Sequence, residues 1–193
     1  MYEGFYGLQE RPFALLPDPS FLFLSKGHST ALTLLRYSIL NRQGFTVVSG
    51  EVGSGKTTLI NRLLDEMKSG MTVGLINFTT RSFGEMAEWI MMAYGLPYKN
   101  KSKVELYDDF VQFMIREYAA GRPVVLIVDE AQNLGIRGLE EIRMLSNVNA
   151  QKEYLLHVIL VGQPELRSLL QTPQLRQLTQ RVSVAYHLKP LSE

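Results

Sequence analysis

The stretch Phe45–Leu59, FTVVSGEVGSGKTTL, leaves this chain few choices of fold. A short apolar run, Phe45–Val48, leads into Gly50-Glu51-Val52-Gly53-Ser54-Gly55-Lys56-Thr57, which satisfies G-x-x-x-x-G-K-[ST] at every fixed position. That pattern requires a strand, a glycine-rich loop and then a helix whose first turn faces a polyphosphate. Gly50, Gly53 and Gly55 permit backbone angles and a close approach that a Cβ would block. Successive N–H groups from Gly53 to Thr57 then form an anion-binding concavity, reinforced by the positive end of the helix dipole. Lys56 supplies a point charge for β- and γ-phosphates, and Thr57 offers a hydroxyl to Mg2+. The candidate binding segment runs from Gly50 to Thr58, and its ligand is a nucleoside triphosphate.

Around the loop, the hydrophobic pattern alternates between strand and helix. Ser29–Asn41 carries Ala31, Leu32, Leu34, Leu35, Ile39 and Leu40 at helical spacing, and Thr57–Lys68 puts Leu59, Ile60, Leu63, Leu64 and Met67 on one face. Thr72–Phe78 reads as a second strand. Ser82-x-x-Glu85 and Ser102-x-x-Glu105 each fit a capping box, which predicts helices running to about Tyr94 and Gly121. In the second of these, Val104, Tyr107, Val111, Met114, Ile115 and Tyr118 are expected to face inward, and Trp89, Met91 and Met92 are read as core. Pro123–Val128 is an unbroken apolar run, as in a strand buried on both faces of a parallel sheet. Gly138–Val148 reads as helix, Leu155–Val161 as a fourth strand, Pro164–Leu170 and Gln174–Gln180 as short helices, and Val182–Leu188 as a last strand. The alternation predicts one doubly wound α/β layer, with its chemistry at the carboxyl ends of the strands. Residues 1–25 are rich in proline and aromatic side chains and read as an arm, which either covers a nucleotide base or packs on the core.

A phosphate cradle alone hydrolyses nothing; a carboxylate for the metal and a base for the attacking water are also needed. Asp129 and Glu130 follow the buried run Pro123–Val128 directly. Asp129 is placed to hold Mg2+, and Glu130 to polarise the nucleophile. Gln163 ends the next strand, where its amide either bonds the γ-phosphate or the water, or caps the following helix. Arg167, Arg176 and Arg181 lie among glutamines; each is either solvated surface charge or an arginine reaching a neighbour's γ-phosphate. His28, His157 and His187 have no metal-ligand spacing, and His157 reads as a hydrogen-bonded histidine within a sheet.

Composition narrows the remaining classes. With 20 Lys+Arg against 19 Asp+Glu, the net charge of +1 creates no overall field toward nucleic acid or membrane. The absence of cysteine removes disulfides and thiolate metal sites. No apolar run approaches the ~18–20 residues that span a bilayer, and the start lacks the basic and apolar segments of a secretory signal. These features lead us to expect a cytoplasmic protein without direct membrane insertion.

Several longer matches carry a resemblance. Phe5-Tyr6-Gly7-Leu8-Gln9-Glu10-Arg11-Pro12-Phe13, Pro17–Ser25 with His28, Gly50–Thr57, Val128–Leu134 and Leu160–Leu166 together resemble AAA+ ATPases of the general secretion pathway protein A type. Tyr2-Glu3, Ser25-Lys26 and Met144–Asn147 look closest to the branch found in exosortase (PEP-CTERM) exopolysaccharide loci. The resemblance implies a P-loop NTPase three-layer sandwich of the AAA+ type, with parallel strand order 5-1-4-3-2. It forms one nucleotide-binding domain over residues 1–193, divided into an arm and helix (1–44) and a core (45–193). It implies ATP and Mg2+ as ligands and ring or filament assembly from identical subunits. Secretion or polysaccharide-export membrane proteins are implied as partners. By position, Lys56 and Thr57 belong to Walker A, Asp129 and Glu130 to Walker B, Gln163 to sensor 1, and Arg181 to the arginine finger with Arg176 second. Sensor 1 is more often Asn or Thr in such proteins, so Gln163 departs from the pattern. Glu193 stands where a helical lid would begin, which leads us to expect either a fragment or a form with its lid removed, with weak or undetectable turnover as it stands. The other reading is a DNA-linked regulator of the transposition type. A helicase would need a second motor domain for which 193 residues leave no room.

Overall fold

A computed structural model describes residues 5–7, 24–67, 70–77, 85–150 and 153–190. Its centre is a five-stranded parallel sheet of β1 (Phe45–Gly50), β2 (Thr72–Asn77), β3 (Val124–Asp129), β6 (Leu156–Gly162) and β7 (Val182–Leu188), in the order β2-β3-β6-β1-β7. Counting only these strands, that is the expected order 5-1-4-3-2 read from the other edge. Two residues each form β4 (Asn149–Ala150) and β5 (Glu153–Tyr154), a small antiparallel ladder.

The unbroken apolar run of β3 is explained by what covers it. Val124, Leu126 and Val128 pack on one face, under α3 (Met86–Ala93), α4 (Lys103–Ala119), α5 (Gly135–Leu145) and α6 (Pro164–Leu170). Val125 and Ile127 pack on the other, against α1 (Lys26–Leu40) and α2 (Lys56–Met67). A short α7 (Arg176–Thr179) completes the first layer. Strand residues alternate sides, so only a chain apolar at every position fills both interfaces. The result is a three-layer α/β/α sandwich.

Most expected elements are present, with boundaries moved by a residue or a few. Helix α1 starts earlier than expected because Ser25 is its N-cap, its Oγ accepting from the His28 N–H. It buries Ala31, Leu32, Leu35 and Ile39, while Leu40 is exposed. The Ser102–Glu105 capping box is formed in both directions. The other one is not: Glu85 itself is the N-cap of α3, makes no side-chain cap bond, and pairs instead with Lys103 at 2.8 Å. Ser82 lies outside the described residues. Helix α5 begins at Gly135, behind a 3-10 turn over Ala131–Leu134, and ends before Val148.

The inward face of α4 differs from the expected one. Leu106, Phe110, Phe113 and Met114 are buried, whereas Val104, Tyr107 and Ile115 are exposed. Apolar residues cover more than one stripe of this helix, so spacing alone does not choose between them. The choice comes from Tyr94 at the end of α3, whose ring packs 5.6 Å from Phe110 and 5.2 Å from Phe113. Gly74 in β2 leaves room for that ring, since a Cβ there would lie 2.8 Å from it. Met91 is core, but Met92 is 44% exposed and Trp89 is only partly buried against the core. Phe5 and Tyr6 are exposed and stacked edge to face. The rest of the arm through Phe23 lies outside the described residues.

His157 in β6 is the buried sheet histidine expected. Its Nδ1–H donates to Gln43 O, and Nε2 lies 3.3 Å from Ser38 Oγ. Burial drives its pKa from 6.5 to about 4, partly offset by the bond to Gln43. The unfolded chain therefore binds more protons than the folded chain between pH 6.5 and pH 4. Stability is fully present above that window and falls through it as pH drops, by about 3 kcal/mol from this group. Urea unfolding of wild type and His157→Phe at pH 7 and at about pH 4 checks this. Wild type is expected to lose about 3 kcal/mol more than the variant across that range.

Candidate active site

Three neighbouring strands end at one place. β6 lies between β1 and β3, so Gly50, Asp129 and Gln163 come from adjacent strand tips. The loop after β1 is shaped by its glycines. A Cβ on Gly50 would lie 2.6 Å from Leu188 O and 2.7 Å from Ser54 Oγ, and Gly53 and Gly55 have φ of +78° and +84°. Lys56 opens α2 with its side chain folded back over the loop and only 6% of the residue exposed. Its Nζ donates to Gly50 O at 2.7 Å and Glu51 O at 2.8 Å. Two carbonyls thus hold the ammonium at the mouth of the loop, with a third N–H left for another acceptor.

The loop and the acidic strand end meet directly. Thr57 Oγ1 donates to Asp129 Oδ2 at 2.9 Å, and Asp129 Oδ1 accepts from the Glu130 N–H at 2.9 Å. Glu130 adopts a left-handed backbone with φ 53° and ψ 38°, which costs a non-glycine residue about 1–2 kcal/mol. That turn separates the two carboxylates. Asp129 stays buried beside Thr57, and Glu130 reaches toward the β6 tip. Gln163 Nε2 donates to Glu130 Oε2 at 3.1 Å, and Gln132 Nε2 donates to the same oxygen. Gln163 stands at the N-cap of α6 but makes no side-chain cap bond, so the helix-capping alternative does not hold.

Two residues that had no site role in the sequence reading complete the site. Gln132 Oε1 accepts from the Gln163 N–H at 3.1 Å, closing a ring of amides around Glu130. Gly162 makes space for it, because a Cβ there would lie 2.5 Å from Gln132 Oε1. The available signal was its position, two residues after Glu130 at a buried strand end. The second residue is His28, whose Nε2 lies 3.0 Å from Ser54 O in the loop. His187 pairs with Ser49 Oγ at 3.1 Å, behind the loop.

The arginines are elsewhere. Arg181 precedes β7 at the amino end of the sheet, since Val182 pairs with Phe45. The strand between Phe45 and Gly50 is about 16 Å long, so Arg181 does not reach the loop of its own chain. Its Nη1 is 3.5 Å from Arg143 O, at the end of α5. Arg167 and Arg176 are exposed.

The residues present fit a nucleotide and a magnesium ion. Gly50 lies so close to Leu188 O and Ser54 Oγ that the loop has no room for a Cβ there, and Ser54 Oγ is buried without a partner among the described residues. Thr57 and Asp129 offer hard oxygen ligands, the kind Mg2+ takes together with phosphate oxygens. Among the described residues no three His, Asp or Glu side chains form a site that could hold a metal by themselves. A cation here would therefore be shared with phosphate.

Sheet order and loop define a P-loop NTPase fold. Residues 39–170, well over half the chain, match the family described as AAA domain, and the chain belongs to that family. It is 38% identical over 193 residues to general secretion pathway protein A of Aeromonas hydrophila, a match covering 100% of this chain and 35% of that protein. The chain thus spans about a third of that relative's length. Among solved structures, the ADP form of the Aeropyrum pernix ORC2 protein aligns with TM-score 0.63 at 15% identity, over 92% of this chain and 51% of that one. Cdc6p of Pyrobaculum aerophilum aligns with TM-score 0.63 at 16% identity, over 92% and 48%. These last two similarities are of fold.

Proposed function

We propose that the chain is the nucleotide-driven domain of an assembly ATPase, binding ATP with Mg2+ and hydrolysing it to ADP and phosphate. The observation that carries this is the 2.9 Å hydrogen bond from Thr57 to Asp129, which joins the phosphate loop to the acidic strand end. Bound Mg2+ would neutralise charge on the β- and γ-oxygens. Thr57 and Asp129 would hold it, while the N–H groups of Gly53 to Thr57 and the Lys56 ammonium hold the phosphates. Glu130 orients and deprotonates the attacking water. Gln163 and Gln132 hold that carboxylate in place, and the second N–H of the Gln163 amide is the one that would contact the γ-phosphate.

Arg181 faces away from its own loop and acts on a neighbouring subunit's γ-phosphate, so the active form is a homo-oligomer, ring or filament. Residues 1–193 form one nucleotide-binding domain, with the core over 45–193. Among the described residues no helix is long and apolar enough to cross a membrane. We place the domain on the cytoplasmic side, joined to the membrane through partners. The similarity to general secretion pathway protein A supports a role in envelope secretion. The resemblance of Tyr2-Glu3, Ser25-Lys26 and Met144–Asn147 to the exosortase-linked branch would extend that role to exopolysaccharide export.

ATP turnover measured against protein concentration, with and without Mg2+, tests this reading. Activity per chain is expected to be weak when dilute, to rise with concentration, and to require Mg2+. Arg181→Ala is expected to lower turnover and leave ATP affinity unchanged. Concentration-independent turnover that survives Arg181→Ala would remove the role between subunits. ATP-dependent, salt-sensitive retention of duplex DNA would favour the transposition-type reading instead.

A further inference from the structure

His28 sits in the first turn of α1 with only 2% of the residue exposed. Its ring bridges the helix start and the phosphate loop: Nδ1 is 2.7 Å from Ser25 Oγ, and Nε2 is 3.0 Å from Ser54 O. A carbonyl only accepts, so Nε2 carries the hydrogen, and in the neutral ring Nδ1 then accepts from the Ser25 hydroxyl. Ser25 Oγ in turn accepts from the His28 N–H at 3.4 Å. Both ring nitrogens are thereby used in one tautomer. The helix that carries the ring is fixed by Ala31, Leu32, Leu35 and Ile39 in the core.

We infer that His28 is a positioning residue for nucleotide binding, which sets the plane of the Ser54–Gly55 peptide so that the Gly55 N–H faces the phosphates. This rests on the nucleotide reading above. In a trans peptide the C=O and N–H point in opposite directions, so holding Ser54 O toward α1 turns the Gly55 N–H away from it. Among the described residues that N–H has no hydrogen-bond partner. The constraint matters because a flip of this peptide turns Ser54 ψ and Gly55 φ, and Gly55 has a φ of +84°. Glycine visits both signs of φ readily, so this peptide would flip at little cost if nothing held it. A flipped peptide would present its oxygen, not its hydrogen, to an anion. The fit is close, since a Cβ on Gly55 would lie 2.9 Å from His28 Nε2. The histidine thus prepares the loop before any ligand arrives, which lowers the cost of binding.

The test uses the full chain, with MgADP as the probe in calorimetric titrations of wild type, His28→Leu and His28→Gln. Thermal midpoints are measured without nucleotide alongside. His28→Leu is expected to bind MgADP about three- to tenfold more weakly, the worth of one hydrogen bond. His28→Gln, whose amide can donate to Ser54 O, is expected to recover most of that loss. Wild-type affinity in His28→Leu overturns the inference. So do equal losses in both variants that track their thermal midpoints. No MgADP binding by wild type overturns the nucleotide reading itself. Nitrogen NMR of the wild-type His28 ring is expected to show the Nε2–H tautomer; the Nδ1–H tautomer overturns the inference even if no variant folds.

Discussion

Lys56→Ala is expected to weaken ATP binding by about 2–5 kcal/mol, roughly 30- to several-thousand-fold. The size of the effect follows from where the ammonium sits. It is buried to all but 6% and held by Gly50 O and Glu51 O at the mouth of the loop. A charge already stripped of water and held in place loses little further hydration when a phosphate arrives, so its attraction is felt almost in full. Without it, two loop carbonyls also lose their donor, so the nucleotide-free variant is expected to be less stable by about 1–2 kcal/mol. Titration calorimetry separates the two effects, because affinity falls far more than stability does. Unchanged ATP affinity would contradict the assignment of the cradle.

Glu130→Gln is expected to keep ATP affinity and to lower turnover by about 10²- to 10⁴-fold. The amide has the shape of the carboxylate but cannot take a proton from water. Its neighbours also argue for a change confined to chemistry: Gln132 and Gln163 converge on Glu130 Oε2, and Thr57 bonds Asp129 instead. The Thr57–Asp129 pair is therefore untouched by the substitution. Turnover should be measured at high protein concentration, where the proposed contribution of a neighbour's arginine would operate. Wild-type turnover there would remove Glu130 as the base.

The parts of this structure that could be read from the chain are those where one local pattern has only one solution. The loop Gly50–Thr57 demands a strand before it and a helix after it, and β1 and α2 are both in place. The run through Val128 is apolar at every position, and Val124 to Val128 are all buried. Patterns with more than one solution were not legible. Helix α4 offers apolar side chains over too much of its circumference, and the contact of Tyr94 with Phe110 and Phe113 chooses the buried side. The Ser82–Glu85 spacing fits a capping box, yet Glu85 is taken by Lys103 from another helix.

In the site the same division holds. Lys56, Thr57, Asp129 and Glu130 lie in two short motifs that announce themselves, and β6 brings Gln163 between them. His28 and Gln132 work through single hydrogen bonds to groups placed by the fold. His28 reaches Ser54 O across 26 residues of sequence; the chain marks it only as part of the resemblance, without a role. Arg181 was placed by resemblance alone. The sheet register adds that it stands at the end opposite the loop.

The most direct measurement is a crystal structure of the chain with Mg2+ and a non-hydrolysable ATP analogue. The β- and γ-phosphates should lie against the N–H groups of Gly53 to Thr57, with the third N–H of Lys56, left over by Gly50 O and Glu51 O, directed at them. The metal should stand between Thr57 Oγ1 and Asp129, where those two groups now bond each other. An analogue bound anywhere else, or bound with Lys56 Nζ out of reach of its phosphates and no metal at Thr57 and Asp129, would contradict the account.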